Sequence, residues 1–107
     1  GCPGITLPVL ANTMKPSFNF FVVYLCTGRS KTMRDRVLKE LHKNGIEARN
    51  LFSPPVYEHP AFKRYIPPKF QLKVCEKLAS RCITLPLYPG MSHKDVASVC
   101  KVIKKFY

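Results

Sequence analysis

The sequence predicts an α/β-class chain, more narrowly an α+β two-layer sandwich in which helices cover one face of a small three-stranded sheet. Three observations predict it. Segments with strand character alternate with segments of helical spacing in the order strand, helix, strand, loop, helix, strand, helix, for which a sheet covered on one face is the economical arrangement. A helix start signal, Ser or Thr followed three residues later by Asp, precedes two of the three helical stretches. The length, 107 residues, suits one domain with a modest core, taken here as residues 1–107 with an extended lead-in over 1–16 and the alternating elements over 17–107.

The lead-in mixes Pro3, Gly4, Pro8 and Pro16 with Ile5, Leu7, Val9 and Leu10, too interrupted for a helix and too apolar for a free tail. Residues 17–25, SFNFFVVYL, are aromatic and β-branched without a turn residue, so they predict the strongest strand, buried on both faces. A turn over residues 26–30 follows. Thr32 and Asp35 then predict a capping box, with Met33, Val37, Leu38 and Leu41 as the apolar stripe and Lys31, Arg34, Arg36, Lys39 and Lys43 on the solvated side. Gly45 predicts the stop, because glycine enters the left-handed conformation that ends helices without steric cost.

Residues 46–52 predict a second strand with Ile46, Ala48 and Phe52 toward the core and Glu47, Arg49 and Leu51 alternating with them. The long stretch over residues 53–68 is stiffened by Pro54, Pro55 and Pro60, and a loop of that length in a small chain is usually functional or packed against something. Helical spacing returns over 70–81 through Val74, Cys75, Leu78 and Ala79. Ile83, Leu85 and Leu87 alternate as a strand whose edge or end Pro86 marks. A turn at Tyr88, Pro89 and Gly90 leads to a second capping box, Ser92 with Asp95, ahead of Val96, Val99, Cys100 and Ile103.

The charge is the compositional anomaly: 18 Lys and Arg against 6 Asp and Glu, a net of +12, which points to anionic partners as a class. The basic residues are dispersed along helical faces and form no dense arm, so contact with nucleic acid is expected to be weak and non-specific. No apolar run approaches a membrane span and no signal-peptide pattern opens the chain, so no membrane partner and a cytoplasmic location are expected. Cys2, Cys26, Cys75, Cys82 and Cys100 lack metal or redox spacing, and most are expected to be buried thiols. His42 and His93 have no companions for metal binding or acid–base work, and no metal site or catalytic residue is expected.

Two stretches, GIEARNLFSPPVYEHPAF at residues 45–62 and KLASRCITLPLYPGMSHKDV at residues 77–96, with the weaker GITLP at 4–8, resemble the DegT/StrS-type nucleotide-sugar aminotransferases. That family uses pyridoxal phosphate on the type I aminotransferase fold. The resemblance implies the C-terminal small domain of a longer enzyme of amino-sugar and polysaccharide biosynthesis. The cofactor lysine and phosphate loop would then lie in an upstream large domain, leaving no cofactor in this chain and no catalysis by it alone. If the chain is a fragment, the resemblance implies that large domain and a nucleotide-sugar substrate as partners; the other expectation is a stand-alone remnant of the enzyme, folded and paired with a second copy as a homodimer. The resemblance also implies substrate-binding roles for Arg49, Tyr57 and His59: Arg49 for a phosphate or carboxylate, Tyr57 and His59 for the sugar or diphosphate, with Arg49 and Tyr57 close together. Tyr57 stands where the family usually has histidine, and Ser53 is an extra residue before the prolines. The alternative is an autonomous basic module for nucleic acid or another anionic partner, disfavoured because Phe18, Phe20 and Phe21 lie in a continuous apolar run and not on an alternating face.

Overall fold

The strand Phe21–Leu25 (β2) sits at the middle of the structure, a computed structural model that describes residues 3–26 and 30–107. It pairs antiparallel on one side with Ile5–Thr6 (β1), through Ile5 opposite Leu25. On the other side it pairs with Cys82–Leu85 (β4), Val23 standing opposite Ile83 and Phe21 opposite Leu85. Arg49–Asn50 (β3) completes a four-stranded antiparallel sheet of order β1-β2-β4-β3. The expected three strands are therefore corrected to four, because the lead-in donates a short strand where Cys26 N–H donates to the Gly4 carbonyl at 2.7 Å. The turn predicted over 26–30 lies largely outside the described residues, as does Cys2.

The remaining elements are the helices Ser30–Lys43 (α1), Pro60–Lys63 (α2), Lys73–Ala79 (α3) and His93–Ile103 (α4), with single 3₁₀ turns at Val56–Glu58 and Lys104–Phe106. Side chains alternate across strands, so Val23, Leu25 and Ile83 share one sheet face. Val37, Leu38 and Leu41 of α1 and Val99, Val102 and Ile103 of α4 bury themselves there, and this cluster is the core. The first strand is shorter than its sequence predicts. Phe18 takes φ of 50°, which breaks the extended run, and residues 17–20 are exposed. Val22 and Tyr24 are half-buried, so the second face of β2 is only partly covered.

Helix ends follow the sequence at two of three predicted signals, and the predicted turn at Gly90 forms as well. Gly45, at φ of 71°, donates to the His42 carbonyl while Ile46 donates to the Leu41 carbonyl, each at 3.0 Å, the paired bonds of a Schellman stop. Gly90, at φ of 81°, closes the turn in which Met91 donates to the Tyr88 carbonyl. Ser92 Oγ accepts from Asp95 N–H at 3.2 Å, and Asp95 Oδ2 accepts from Ser92 N–H at 2.8 Å, completing the capping box of α4. The Thr32–Asp35 box is corrected: α1 begins at Ser30, so Thr32 lies inside its first turn and Asp35 accepts from Arg34 instead.

Three further expectations change. Phe52 is exposed, not core-facing, because its φ of 46° turns the chain out of the strand after Asn50. Cys82 is buried, but Cys75 and Cys100 are exposed, since only Ala79 of α3 reaches the interior and Cys100 sits beside the buried stripe of α4. The predicted helix over 70–81 contracts to Lys73–Ala79, after Lys69 adopts φ of 69°.

Candidate functional site

The proline segment leaves the sheet after β3 and is fixed by a side chain from another element. Arg34 of α1 is 2% exposed, and its guanidinium donates to Ser53 Oγ at 3.1 Å, to the Ala79 carbonyl at 2.5 Å and to Asp35 Oδ1 at 2.8 and 3.0 Å. One cation thus ties the start of the proline segment to the end of α3. Burying a guanidinium carries a desolvation cost, offset here because its donors meet three separate acceptor groups. Sequence reading placed Arg34 on the solvated side. Its spacing of three, four and seven before Val37, Leu38 and Leu41 puts it on the apolar stripe, and that spacing is the signal that was missed.

Past the cis Ser53–Pro54 bond and the buried Pro55, the turn Val56–Glu58 presents Tyr57. The Tyr57 hydroxyl donates to Glu76 Oε1 at 2.8 Å, and the same oxygen accepts from Leu72 N–H at 3.3 Å. The Tyr57 ring meets Phe70 edge-on, with centroids 5.4 Å apart. Desolvation, followed by the bond to Glu76, pushes its pKa up to about 12, so the phenol stays protonated and its proton is committed to Glu76. His59 caps α2, with Nδ1 accepting from Ala61 N–H at 3.4 Å and the ring tilted against Phe62. That assignment leaves Nε2 as the donor of the neutral ring.

Arg49 stands elsewhere. It lies on the edge strand β3 opposite Thr84, whose hydroxyl donates to the Arg49 carbonyl at 3.3 Å, and its side chain is 78% exposed and paired with Glu47. Such an exposed pair contributes little stability and exchanges readily with another anion. Arg49 lines a surface depression of about 660 Å³ between the loop after α1, the end of β4 and the first turns of α4. Tyr57 lines a different one, of about 590 Å³, with Glu58, Lys63, Lys69 and Glu76. Arg49 and Tyr57, expected side by side, thus occupy separate depressions and hold different partners.

Of the other histidines, His42 donates from Nε2 to the Ala48 carbonyl at 2.6 Å, tying the end of α1 to the loop that leads into β3. An apolar groove of about 480 Å³ runs between β1, β2 and α4, past Phe21, Val96 and Ile103. Among the described residues, no His, Cys, Asp and Glu group could hold a metal ion, and no helix is long and apolar enough to cross a membrane.

Residues 1–104 match the model of the DegT/DnrJ/EryC1/StrS aminotransferase family. The chain is 27% identical to the dTDP-3-amino-3,4,6-trideoxy-alpha-D-glucose transaminase of Streptomyces venezuelae over 99% of its own length and 26% of that protein. It is 33% identical to the GDP-perosamine synthase of Caulobacter vibrioides over 89% of its length and 24% of that protein. The crystal structure of DesV from S. venezuelae, in complex with a ketimine intermediate, superposes with a TM-score of 0.83 at 27% identity, over 99% of this chain and 27% of that one. The chain therefore spans about a quarter of the relatives it matches.

Proposed function

We propose that this chain, which belongs to the DegT/DnrJ/EryC1/StrS aminotransferase family, is the C-terminal small domain of a nucleotide-sugar aminotransferase and helps to close its substrate site. The observation that carries the reading is the agreement in both sequence and shape with DesV along 99% of the chain. Relatives named for dTDP- and GDP-linked sugars give the substrate class.

The family depends on pyridoxal phosphate, which is held through an imine to a lysine. Such a lysine needs a desolvated setting beside a phosphate cradle. Every lysine whose side-chain surroundings are described here is exposed, and the depression at Arg49 contains none. On this reading the cofactor lysine and its phosphate cradle lie outside these residues. Transamination is accordingly assigned to the rest of a parent protein of the relatives' length, and this chain's share is recognition.

In that share Arg49 is the anion contact. Its guanidinium, held among the described residues by the exposed Glu47, releases that partner for a diphosphate and meets it through two parallel hydrogen bonds. Tyr57 and His59 shape the proline segment, Tyr57 through Glu76 and Phe70 and His59 as a cap, and His59 Nε2 remains as a donor toward substrate. The test is Arg49→Ala in a full-length parent. The reading expects kcat/KM for the nucleotide sugar to fall by about 1.5–3 kcal/mol of transition-state stabilisation, with the melting temperature of the 107-residue chain nearly unchanged. Unaltered kinetics with a lowered melting temperature would assign Arg49 to structure.

A further inference from the structure

We propose that the surface formed by residues 62–78 docks on an anionic phospholipid bilayer. Over this span, FKRYIPPKFQLKVCEKL, stand five basic side chains, Lys63, Arg64, Lys69, Lys73 and Lys77, against one carboxylate, Glu76. All five are exposed, whereas Glu76 is half-buried and already accepts from the Tyr57 hydroxyl and Leu72 N–H. Apolar side chains stand among them in solvent: Val74 is 74% exposed and Tyr65 68%, and Phe62, Leu72 and Leu78 are about half exposed.

The helix α3 sets the two kinds side by side. Lys73 and Lys77 are four residues apart, as are Val74 and Leu78, so a basic row and an apolar row run next to each other along the helix. α3 is tied inward at its end, through the buried Ala79 and the bond from Arg34 to the Ala79 carbonyl, which leaves these four side chains at the surface. A surface of this composition fits the bilayer interface, where apolar side chains enter the headgroup layer while long basic stems keep their charges at the lipid phosphates. Contact of this kind needs no spanning helix, and none is present among the described residues. The net charge of +12 adds attraction to an anionic leaflet.

Other anionic partners fit this surface less well. Nucleic acid gains little from Leu72, Val74 and Leu78, and the rings on which bases would stack are engaged: Arg64 sits 4.7 Å over the Tyr65 ring, and Phe70 meets Tyr57 edge-on. A small anion needs charges that converge, and the depression beside Tyr57 sets Glu58 and Glu76 against Lys63 and Lys69. An acidic protein surface would meet a patch whose charges are mostly lysine, a residue depleted from protein interfaces. The inference does not rest on the proposed role of Arg49, which lies on β3 outside this span.

Vesicle sedimentation of the 107-residue chain is the test, with liposomes of phosphatidylcholine alone and of phosphatidylcholine with phosphatidylglycerol at three to one, in about 0.1 M salt, where the Debye length is ~10 Å. The chain should bind the anionic vesicles about tenfold or more tightly than the neutral ones. Lys73→Gln with Lys77→Gln should weaken that binding about tenfold or more, since each charge near the surface contributes roughly fivefold. Val74→Ser with Leu78→Ser, which leaves the charge unchanged, should weaken it about fivefold or more. Lys39→Gln with Lys43→Gln, an equal loss of charge on exposed residues at the other end of α1 from Arg34, should change it about twofold or less. Urea unfolding midpoints identify the folded variants, and Val74→Trp gives a second readout, fluorescence that brominated acyl chains should quench. Equal losses from the two lysine pairs, full binding by the folded serine pair, or unquenched fluorescence would overturn the inference. Tighter binding to polyuridylate RNA or to poly-L-glutamate than to anionic vesicles would also overturn it, assigning the surface to nucleic acid or to an acidic protein.

Discussion

The sheet face covered by α1 and α4 and the segment over residues 52–78 use their apolar side chains in opposite ways. On the covered face Val37, Leu41 and Ile83 are fully buried, with Val23, Leu25 and Val102 nearly so. In the segment Phe52, Val56, Tyr65 and Val74 stand in solvent, and of the seven residues of α3 only Ala79 is buried. The first region is held by burial, which is non-directional and summed over many contacts. The second is held at a few points by directional bonds: Arg34 to Ser53 and Ala79, Tyr57 to Glu76, and His59 to Ala61. A segment fixed in this way keeps its apolar and basic side chains free for something other than its own core, as expected of the part that meets a partner or substrate.

Substitutions can break or sharpen that contrast. The largest effect should come from the covered face. Ile83→Ala removes a fully buried side chain from the central strand β4 and should cost roughly 2–5 kcal/mol in urea unfolding, lowering the midpoint for probes throughout the chain. A loss confined to one region would show that this face is not the common core. Arg34→Ala should cost about 2–4 kcal/mol, because it leaves the Ala79 carbonyl and Ser53 hydroxyl without their donor. Arg34→Met, which restores the stem but not the bonds, should recover only a minor part; full recovery would mean that packing, not hydrogen bonding, holds the segment.

Tyr57→Phe should have a smaller effect, and its signature is pH. The folded-state pKa of Tyr57 lies near 12, above the ordinary value of 10.0. The folded chain therefore holds a proton that the unfolded chain loses between those values, and the contribution is complete below pH 10 and lost as pH rises toward 12. Denaturation midpoints followed through that window should fall less steeply in Tyr57→Phe than in the parent chain. Parallel slopes would remove the Tyr57–Glu76 bond from the account.

The covered face was legible in the sequence because burial leaves a period. The stripe Val37, Leu38, Leu41 and the stop at Gly45 read directly, as did the Ser92–Asp95 box and the end of β4 at Pro86. The sheet edges were less legible. β1 and β3 are two residues each, too short for alternation to register, so the lead-in strand went unseen and residues 46–52 were read too long. The proline segment was recognisable as special from its prolines, but its anchors were not. Arg34 and Glu76 are ordinary charged residues on helices, and nothing periodic announces that one is buried or that the other accepts a bond from Tyr57 nineteen positions away. The family likeness of residues 45–62 and 77–96 was legible as a pattern of prolines and aromatics, whereas the separation of Arg49 from Tyr57 depends on tertiary placement.

Amide hydrogen exchange on the 107-residue chain and on Arg34→Ala tests the central contrast most directly, because local opening energies report which bonds hold which region. In the parent chain, amides of α1, β4 and α4 should exchange only through the most costly openings, and those of residues 56–79 through cheaper ones. Arg34→Ala should strip protection from residues 56–79 well beyond its effect on α4. An equal loss of protection in both regions, or a segment as protected as α4 before substitution, would contradict a core held by burial and a proline segment pinned by a buried guanidinium.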